Sequence, residues 1–259
     1  MKLGVRLESL GVPARKGLVE ARRLGVSGVQ VDAAGDLAPD RLSTTGRREF
    51  RHLLRGHGLD LAALGCPLRH GFDTPENLQP RIDHVRKVMT LAVELGARAV
   101  VVEAGRIPDK PDDPRAALLT ESLLALGQHG DRIGALLALE TGAESGAILR
   151  QFLDRLDTGG LGANYEPANL LMNGLDPLAE LPALSGRIAH VHAKDARRGG
   201  ASRSAQEVPL GHGDIDWLQV VGTMSAQDYR GWLTVERESG TNRAADVAGG
   251  LAFLRRFVG

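Results

Sequence analysis

Charged or imidazole side chains close four short apolar runs in the second half of the sequence. Glu140 ends "LLALE", Glu166 ends "GANYE", His192 ends "AHVH" and Glu236 ends "LTVE". Three carboxylates that converged without a cation would repel one another and would be costly to bury. A divalent metal ion resolves that repulsion. This set of oxygen and nitrogen donors predicts Mn²⁺ first, then Mg²⁺, and also admits Co²⁺ or Zn²⁺.

The runs that carry these residues belong to a repeating pattern. An amphipathic stretch, a break that contains glycine and a short apolar run follow one another, as in "AVELGARAVVVE" and "DYRGWLTVE". Such apolar runs are typical of strands buried on both faces of a parallel sheet, with helices between them. The pattern predicts eight strands, near Leu3–Arg6, Val29–Val31, Leu61–Leu64, Ala99–Val102, Leu136–Leu139, Gly162–Tyr165, Ile188–Val191 and Trp232–Val235.

Eight strands that alternate with helices in 259 residues predict an α/β fold, a single (β/α)8 TIM barrel over residues 1–259. The carboxyl ends of barrel strands open on one face, where barrel enzymes place their active sites. Strands five to eight are consecutive, so their four terminal side chains can converge there. Asp32 and Glu103 end strands two and four on the other side of the barrel, and we expect structural or supporting roles for them.

Bulk composition restricts the class of protein. Lys plus Arg equals Asp plus Glu at 32 each, so no basic excess indicates a nucleic-acid partner. The single cysteine, Cys66, favours a reducing compartment, and no apolar run approaches the ~20 residues that a membrane span needs. We therefore expect a cytoplasmic protein. Homo-oligomerisation stays open, because exposed helix faces and interface faces look alike in a sequence.

Five stretches together resemble the xylose-isomerase-like barrel superfamily, which includes ketose 3-epimerases, inosose dehydratases and apurinic endonuclease family 2 enzymes. They are "LALETG", "NYEPANLLMNG", "HVHAKDARRGG", "VPLGHGDIDW" and "YRGWLTVERES". The resemblance implies a metal ion held by Glu140, Glu166, His192 and Glu236. It further implies that Glu140 and Glu236 exchange protons with a sugar or polyol as catalytic residues.

The sequence departs from the epimerase pattern at two positions. Glu166 stands where the epimerases have Asp, and the extra methylene changes the reach of the carboxylate. Asn169 stands where they often have a substrate-binding His, so it can hydrogen-bond a sugar hydroxyl but cannot act as an imidazole base. His190 occupies a position that varies in the family, and we expect it to pack inside the barrel.

Other substrate-binding residues are predicted around the loop after the seventh strand. Arg198 matches an arginine that contacts substrate in the epimerases. The stretch from Asp195 to Asp214 is rich in Gly, Ser and Arg, and we expect it to form a mobile loop over the pocket. The remaining candidates are Lys194 and His212 in or beside that loop, and Cys66 and His70 after strand three.

The first functional hypothesis is a metal-dependent epimerase or isomerase that works through an enediolate by carboxylate proton transfer. The same residues would support a sugar or inosose dehydratase. An endonuclease-like phosphodiesterase is less favoured, since a trinuclear zinc site needs more ligands and His52, His57, His84 and His129 fall in predicted helices. A non-enzymatic sugar-binding barrel is the remaining alternative. Aromatic residues make up only 3%, so we expect mostly polar recognition of a sugar.

Overall fold

Eight parallel strands close into a barrel in the computed structural model, which describes residues 1–108, 113–200 and 204–258. The barrel strands are β1 (Lys2–Arg6), β2 (Gly28–Asp32), β3 (Asp60–Gly65), β4 (Ala99–Val102), β5 (Leu136–Glu140), β6 (Leu161–Tyr165), β7 (Ile188–Ala193) and β10 (Trp232–Val235). Their order around the barrel is β1, β10, β7, β6, β5, β4, β3, β2. The predicted α/β class and (β/α)8 architecture are confirmed.

Helices surround the barrel and connect its strands. Local sequence signals set their ends: Ser43 accepts a hydrogen bond from Gly46 N at the start of α2, and Gly58 takes a left-handed conformation at its end. The helices are α1 (Ala14–Arg23), α2 (Thr44–His57), α3 (Leu78–Leu95), α4 (Pro114–Ile133), α5 (Gly146–Arg155), α6 (Pro167–Met172), α7 (Pro177–Glu180), α8 (Trp217–Ala226) and α9 (Arg243–Leu254). Short 3-10 turns cover Leu7–Leu10, Gly35–Leu37 and Leu181–Leu184.

The two faces of the strands carry different residues. Outward side chains such as Val5, Leu64 and Tyr165 are fully buried under the helices and form the main hydrophobic core. Inside the barrel, Ala63, Ala99, Val101 and Ala138 form a separate cluster of small residues. Small side chains in the lower barrel leave room for longer polar side chains near the carboxyl ends of the strands.

Two register shifts occur among the barrel strand pairs of the described residues. The pairing of β2 with β3 shifts between Val29 and Gln30, and that of β6 with β7 shifts between Ala163 and Asn164. A one-residue shift changes which face of the sheet a side chain occupies. In the second case it places His190 opposite Asn164, with both side chains buried at 0% exposure.

The stretch predicted as an irregular loop after the seventh strand contains a hairpin. β8 (Asp195–Arg197) pairs antiparallel with β9 (Gln206–Val208). The Asp195 carboxylate accepts hydrogen bonds from the backbone of Gly211 at 2.9 Å and Gly213 at 3.1 Å, which fixes the turn after β9. Residues 201–203 of the predicted loop lie outside the described residues, and its mobility stays a prediction.

Within residues 1–108, 113–200 and 204–258, none of the helices has the length and apolar character needed to cross a bilayer.

Candidate metal and acid/base centre

The four predicted ligands meet at the carboxyl end of the barrel, and the imidazole of His192 is their centre. Its Nδ1 atom lies 2.7 Å from Glu166 Oε2, 3.0 Å from Glu236 Oε2 and 3.8 Å from Glu140 Oε1. One ligand atom each from Glu140, Glu166 and His192 lies within 4.8 Å of the others. Glu140 ends β5, Glu166 and Glu236 directly follow β6 and β10, and His192 lies in β7, so neighbouring strands bring them together.

The geometry and donor types of these residues fit a divalent ion. Two ligands on opposite sides of an ion at ~2.0–2.4 Å lie ~4–4.8 Å apart, which matches the span of this group. Glu166 Oε1 is buried and has no hydrogen-bond partner among the described residues, although Lys194 Nζ lies 3.4 Å away. A carboxylate oxygen in that position can accept an ion. The ligands for such an ion would be Glu140, Glu166 and His192, with Glu236 beside them.

Two cations hold Glu236, which is 3% exposed. The guanidinium of Arg6, from β1, donates to Glu236 Oε1 and bonds to Asp32 Oδ2 at 3.0 Å. Lys194 Nζ lies 3.5 Å from Glu236 Oε2 and 3.0 Å from Glu238 Oε2. Lys194 therefore points into the site rather than into the loop that follows it.

These surroundings separate the protonation of the two proposed catalytic carboxyls. Burial, reinforced by Glu166 and Glu236, raises the pKa of Glu140 to about 8, although His192 opposes the shift. Burial alone would raise the pKa of Glu236 as well, but His192, Lys194 and Arg6 outweigh it and hold that pKa well below its usual range. At neutral pH Glu236 is a carboxylate, whereas Glu140 can carry a proton.

Amide side chains contact both ring nitrogens of His192. Gln30 Oε1, from β2, lies 3.0 Å from His192 Nε2, and Asn164 Nδ2 lies 3.0 Å from His192 Nδ1. His190 packs edge-on against His192 with the ring centroids 5.6 Å apart. Burial holds the pKa of His190 well below its usual range, so it is a neutral packed histidine, as its position in the sequence indicated.

A cavity of about 110 Å³ opens beside this group. Its wall includes Arg6, Gln30, Leu68 and Cys66, and it carries four carboxylates, those of Asp32, Glu103, Glu140 and Glu238. Cys66 thus lines the pocket, and burial raises the pKa of its thiol to about 12, while its role in substrate binding stays a prediction. Neither Glu166 nor Glu236 lines the cavity, so Glu140 is the candidate catalytic carboxyl that faces it.

Among the described residues, no hydrogen bond or ion pair joins the side chains of the other predicted substrate residues to the four ligands. Asn169 lies half-buried in α6, where its backbone carbonyl accepts a bond from Asn173 Nδ2 at 2.9 Å. Arg198, His212 and His70 are exposed, and within the described residues no contact joins their side chains to the ligand group. Their roles in substrate binding stay predictions.

Sequence reasoning missed Arg6, Gln30, Asn164 and Glu238. A signal was present for three of them. Gln30 and Asn164 stand two residues before Asp32 and Glu166, which puts each on the same inward strand face as a strand-terminal acid. Arg6 ends the first strand as the recognised acids end theirs.

A larger cavity of about 560 Å³ lies at the opposite, amino-terminal end of the barrel. Its wall includes Lys2, Asp60, Leu136 and Trp232, which begin or nearly begin their strands. None of the metal-ligand candidates lines it. The chemistry of the site described above therefore belongs to the smaller cavity.

Curated proteins with similar sequences include a rhizopine catabolism protein and an inosose dehydratase. The rhizopine catabolism protein MocC of Rhizobium meliloti is 28% identical over 262 residues, covering 90% of this chain and 77% of that protein. An inosose dehydratase of Clostridium tetani is 30% identical over 118 residues, covering 40% of this chain and 39% of that protein. The match thus spans about two fifths of the length of the dehydratase.

Solved structures share the whole fold. A xylose isomerase domain protein from Planctomyces limnophilus superimposes with a TM-score of 0.88 at 25% identity, covering 99% of this chain and 96% of that one. A D-tagatose 3-epimerase-like protein gives 0.81 at 17% identity, with 100% and 97% covered. A xylose isomerase-like TIM barrel protein from Mycobacterium smegmatis, in complex with magnesium, gives 0.80 at 19% identity, with 99% and 96% covered.

The model of one protein family matches residues 18–257, which is nearly the entire chain. The family is described as xylose isomerase-like TIM barrel, in agreement with the resemblance of the sequence motifs and with the closed barrel. This chain is a member of the xylose isomerase-like TIM barrel family.

Proposed function

We propose that this protein is a metal-dependent enzyme that removes the proton next to the carbonyl group of an uncharged polyhydroxy ketone. The observation that carries the proposal is the convergence of Glu140, Glu166 and His192 on one point beside a pocket. A bound divalent ion would polarise the carbonyl group and acidify the adjacent C–H bond. Mn²⁺ or Mg²⁺ suits the mixture of carboxylate and imidazole donors.

Glu140 is the residue that we assign to proton transfer. Its side chain lines the cavity and is 17% exposed, and in the absence of metal burial raises its pKa to about 8. A proton carrier works best when its pKa lies near the working pH. Glu236 is 3% exposed and ion-paired to Arg6 and Lys194, which favours a permanent carboxylate.

One mobile proton favours dehydration as the outcome. In this reaction Glu140 takes the proton from the carbon beside the carbonyl group and returns it to the departing β-hydroxyl. The C–H and C–O bonds break, a C=C bond forms and water leaves, so no further reactant is needed. The similarity to an inosose dehydratase supports this choice.

Epimerisation or isomerisation is the second candidate. It requires two carboxyls that alternate between protonated and ionised forms, namely Glu140 and Glu236 on either side of the substrate. The resemblance of the sequence motifs to ketose 3-epimerases supports it. The ion pairs of Glu236 with Arg6 and Lys194 oppose it, because they penalise protonation of Glu236.

The charge of the pocket argues for an uncharged substrate. Among the described residues that line the cavity, the carboxylates of Asp32, Glu103 and Glu238 accompany one cation, Arg6, which is already paired with Glu236 and Asp32. A phosphate or carboxylate on the substrate would meet like charge there. Free sugars, polyol ketones and inososes avoid that repulsion.

The test is a panel of inososes and ketoses incubated with the protein and Mn²⁺ in D₂O and followed by NMR. We expect loss of water from one substrate, together with loss of the NMR signal of the hydrogen next to its carbonyl group. Glu140→Gln should lower turnover ~10²–10⁴-fold. Glu103→Gln, a change in the same pocket wall, should retain turnover. Turnover of Glu140→Gln within about twofold of the parent would contradict the assignment, and inversion without loss of water would favour the epimerase.

A further inference from the structure

The ring of His192 lies between two kinds of partner. Nδ1 faces the carboxylates of Glu166 and Glu236, whereas Nε2 points away from them to Gln30 Oε1 at 3.0 Å. Gln30 comes from β2, which is separated from β7 by β1 and β10 around the barrel. Gln30 is 1% exposed and His192 is fully buried, so water does not compete for this contact.

The position of the imidazole proton decides whether His192 can bind a metal ion. A neutral imidazole has one N–H and one lone pair, and the hydrogen bond made by one nitrogen fixes which form is present. Gln30 Oε1 can only accept, so it requires the proton on Nε2. The lone pair is then on Nδ1, the atom that faces Glu140 and Glu166.

A second amide also contacts the ring. Asn164 Nδ2 lies 3.0 Å from His192 Nδ1. The two register shifts of the barrel fall immediately before Gln30 and Asn164. Irregular pairing of this kind re-aims side chains and is frequent beside active sites. The fold thus departs from regular pairing at the two amides that contact the His192 ring.

We infer that Gln30 is a positioning residue that keeps the proton of His192 on Nε2 and so presents Nδ1 to a divalent ion. The inference rests on the metal-dependent function proposed above. In this role Gln30 acts through the imidazole, by fixing the ring and its protonated nitrogen.

The test compares two replacements of Gln30 in the full-length protein. Gln30→Met keeps the length of the side chain but removes the acceptor, and we expect Mn²⁺ to bind ~10–100-fold more weakly. Gln30→Glu keeps an acceptor oxygen and should bind Mn²⁺ within about threefold of the parent. Thr234→Val is the matched control, because Thr234 is buried beside His192 in β10 and its hydroxyl has no hydrogen-bond partner among the described residues. Calorimetric titration with Mn²⁺ gives the affinities, and thermal unfolding without metal shows whether each variant folds.

A spectroscopic measurement keeps the inference testable if Gln30→Met does not fold. In the Zn²⁺ complex of the parent protein, ¹⁵N NMR of labelled histidine should show a proton on Nε2 of His192 and none on Nδ1. Equal Mn²⁺ affinity of Gln30→Met and the parent, or a metal ion on Nε2, would overturn the inference while leaving the metal-dependent function intact. Failure of the parent to bind any divalent ion would overturn both.

Discussion

The Nδ1 atom of His192 lies 2.7 Å from Oε2 of Glu166, at the point where a metal ion would bind. Burial alone would lower the pKa of His192, but Glu236 and Glu166 outweigh it and raise that pKa to about 10. Without metal, the imidazole is therefore protonated at neutral pH, and its Nδ1–H bridges the carboxylates. An incoming ion must displace this proton.

Metal affinity should consequently rise with pH. Below pH 8 the ion displaces a proton from His192 and, in part, one from Glu140, whose pKa is raised to about 8. We expect the Mn²⁺ affinity to increase about tenfold or more for each pH unit between 6 and 8. Titrations in buffers of different ionisation enthalpy will count the released protons. An affinity that is constant across this range would show that His192 Nδ1 is not a ligand.

Arg6 should stabilise the fold through Glu236. In the Arg6→Met variant, Lys194 would be the remaining lysine or arginine partner of the buried Glu236 carboxylate within the described structure. The substitution should lower the free energy of unfolding by about 3 kcal/mol, because it leaves a buried charge poorly compensated. Urea unfolding without metal measures the loss. Arg23→Met removes an ion pair on the surface, in which the Arg23 side chain is 73% exposed and that of Glu20 is 40% exposed. This control should lower the free energy of unfolding by less than about 1 kcal/mol. Equal losses in the two variants would argue against a special role for Arg6.

The hairpin after β7 is attached to the end of β10 through Glu207. The Glu207 carboxylate accepts hydrogen bonds from the backbone of Glu238 and Ser239, both at 2.9 Å, and pairs with Arg237 at 3.0 Å. Glu207→Gln should accelerate hydrogen exchange at least tenfold in β8 and β9 while sparing the barrel. Glu121→Gln, an exposed position on α4, should change nothing. Unchanged hydrogen exchange in β8 and β9 would show that Glu207 does not attach the hairpin to the barrel.

Substrate charge should control binding. A phosphorylated ketose should bind at least tenfold more weakly than the corresponding free ketose, because Asp32, Glu103 and Glu238 line the pocket. Glu103→Gln should reduce the difference in affinity between the free and the phosphorylated ketose. A higher salt concentration should reduce that difference as well. Calorimetry with each pair of ligands will provide the comparison. Tighter binding of the phosphorylated compounds would contradict the claim that the acidic pocket selects uncharged substrates.

Strand positions were predictable because each strand is a short apolar run between polar residues. β4 has the predicted bounds Ala99–Val102, flanked by Arg98 and Glu103. β7 extends two residues beyond its predicted end, to Ala193. There the inward His192 pairs in register with Thr234, so a polar residue continues the strand instead of ending it.

The site was predictable where a residue ends an apolar run, and unpredictable where its role depends on a distant strand. Glu140, Glu166, His192 and Glu236 belong to the first kind. Arg6 meets Glu236 across 230 positions of sequence, and Gln30 meets His192 across 162. The sequence signals of Arg6 and Gln30 place them on inward strand faces, but their partners depend on barrel closure and on register shifts, which leave no local pattern in the chain.

The most direct test of the account is a crystal structure with Mn²⁺, in which anomalous scattering locates the ion. The account predicts one anomalous peak ~2.0–2.4 Å from His192 Nδ1 and from carboxylate oxygens of Glu140 and Glu166. These three atoms already lie within 4.8 Å of one another. A peak elsewhere in the barrel, or the absence of any peak at saturating Mn²⁺, would contradict the central claim that these residues form a metal site.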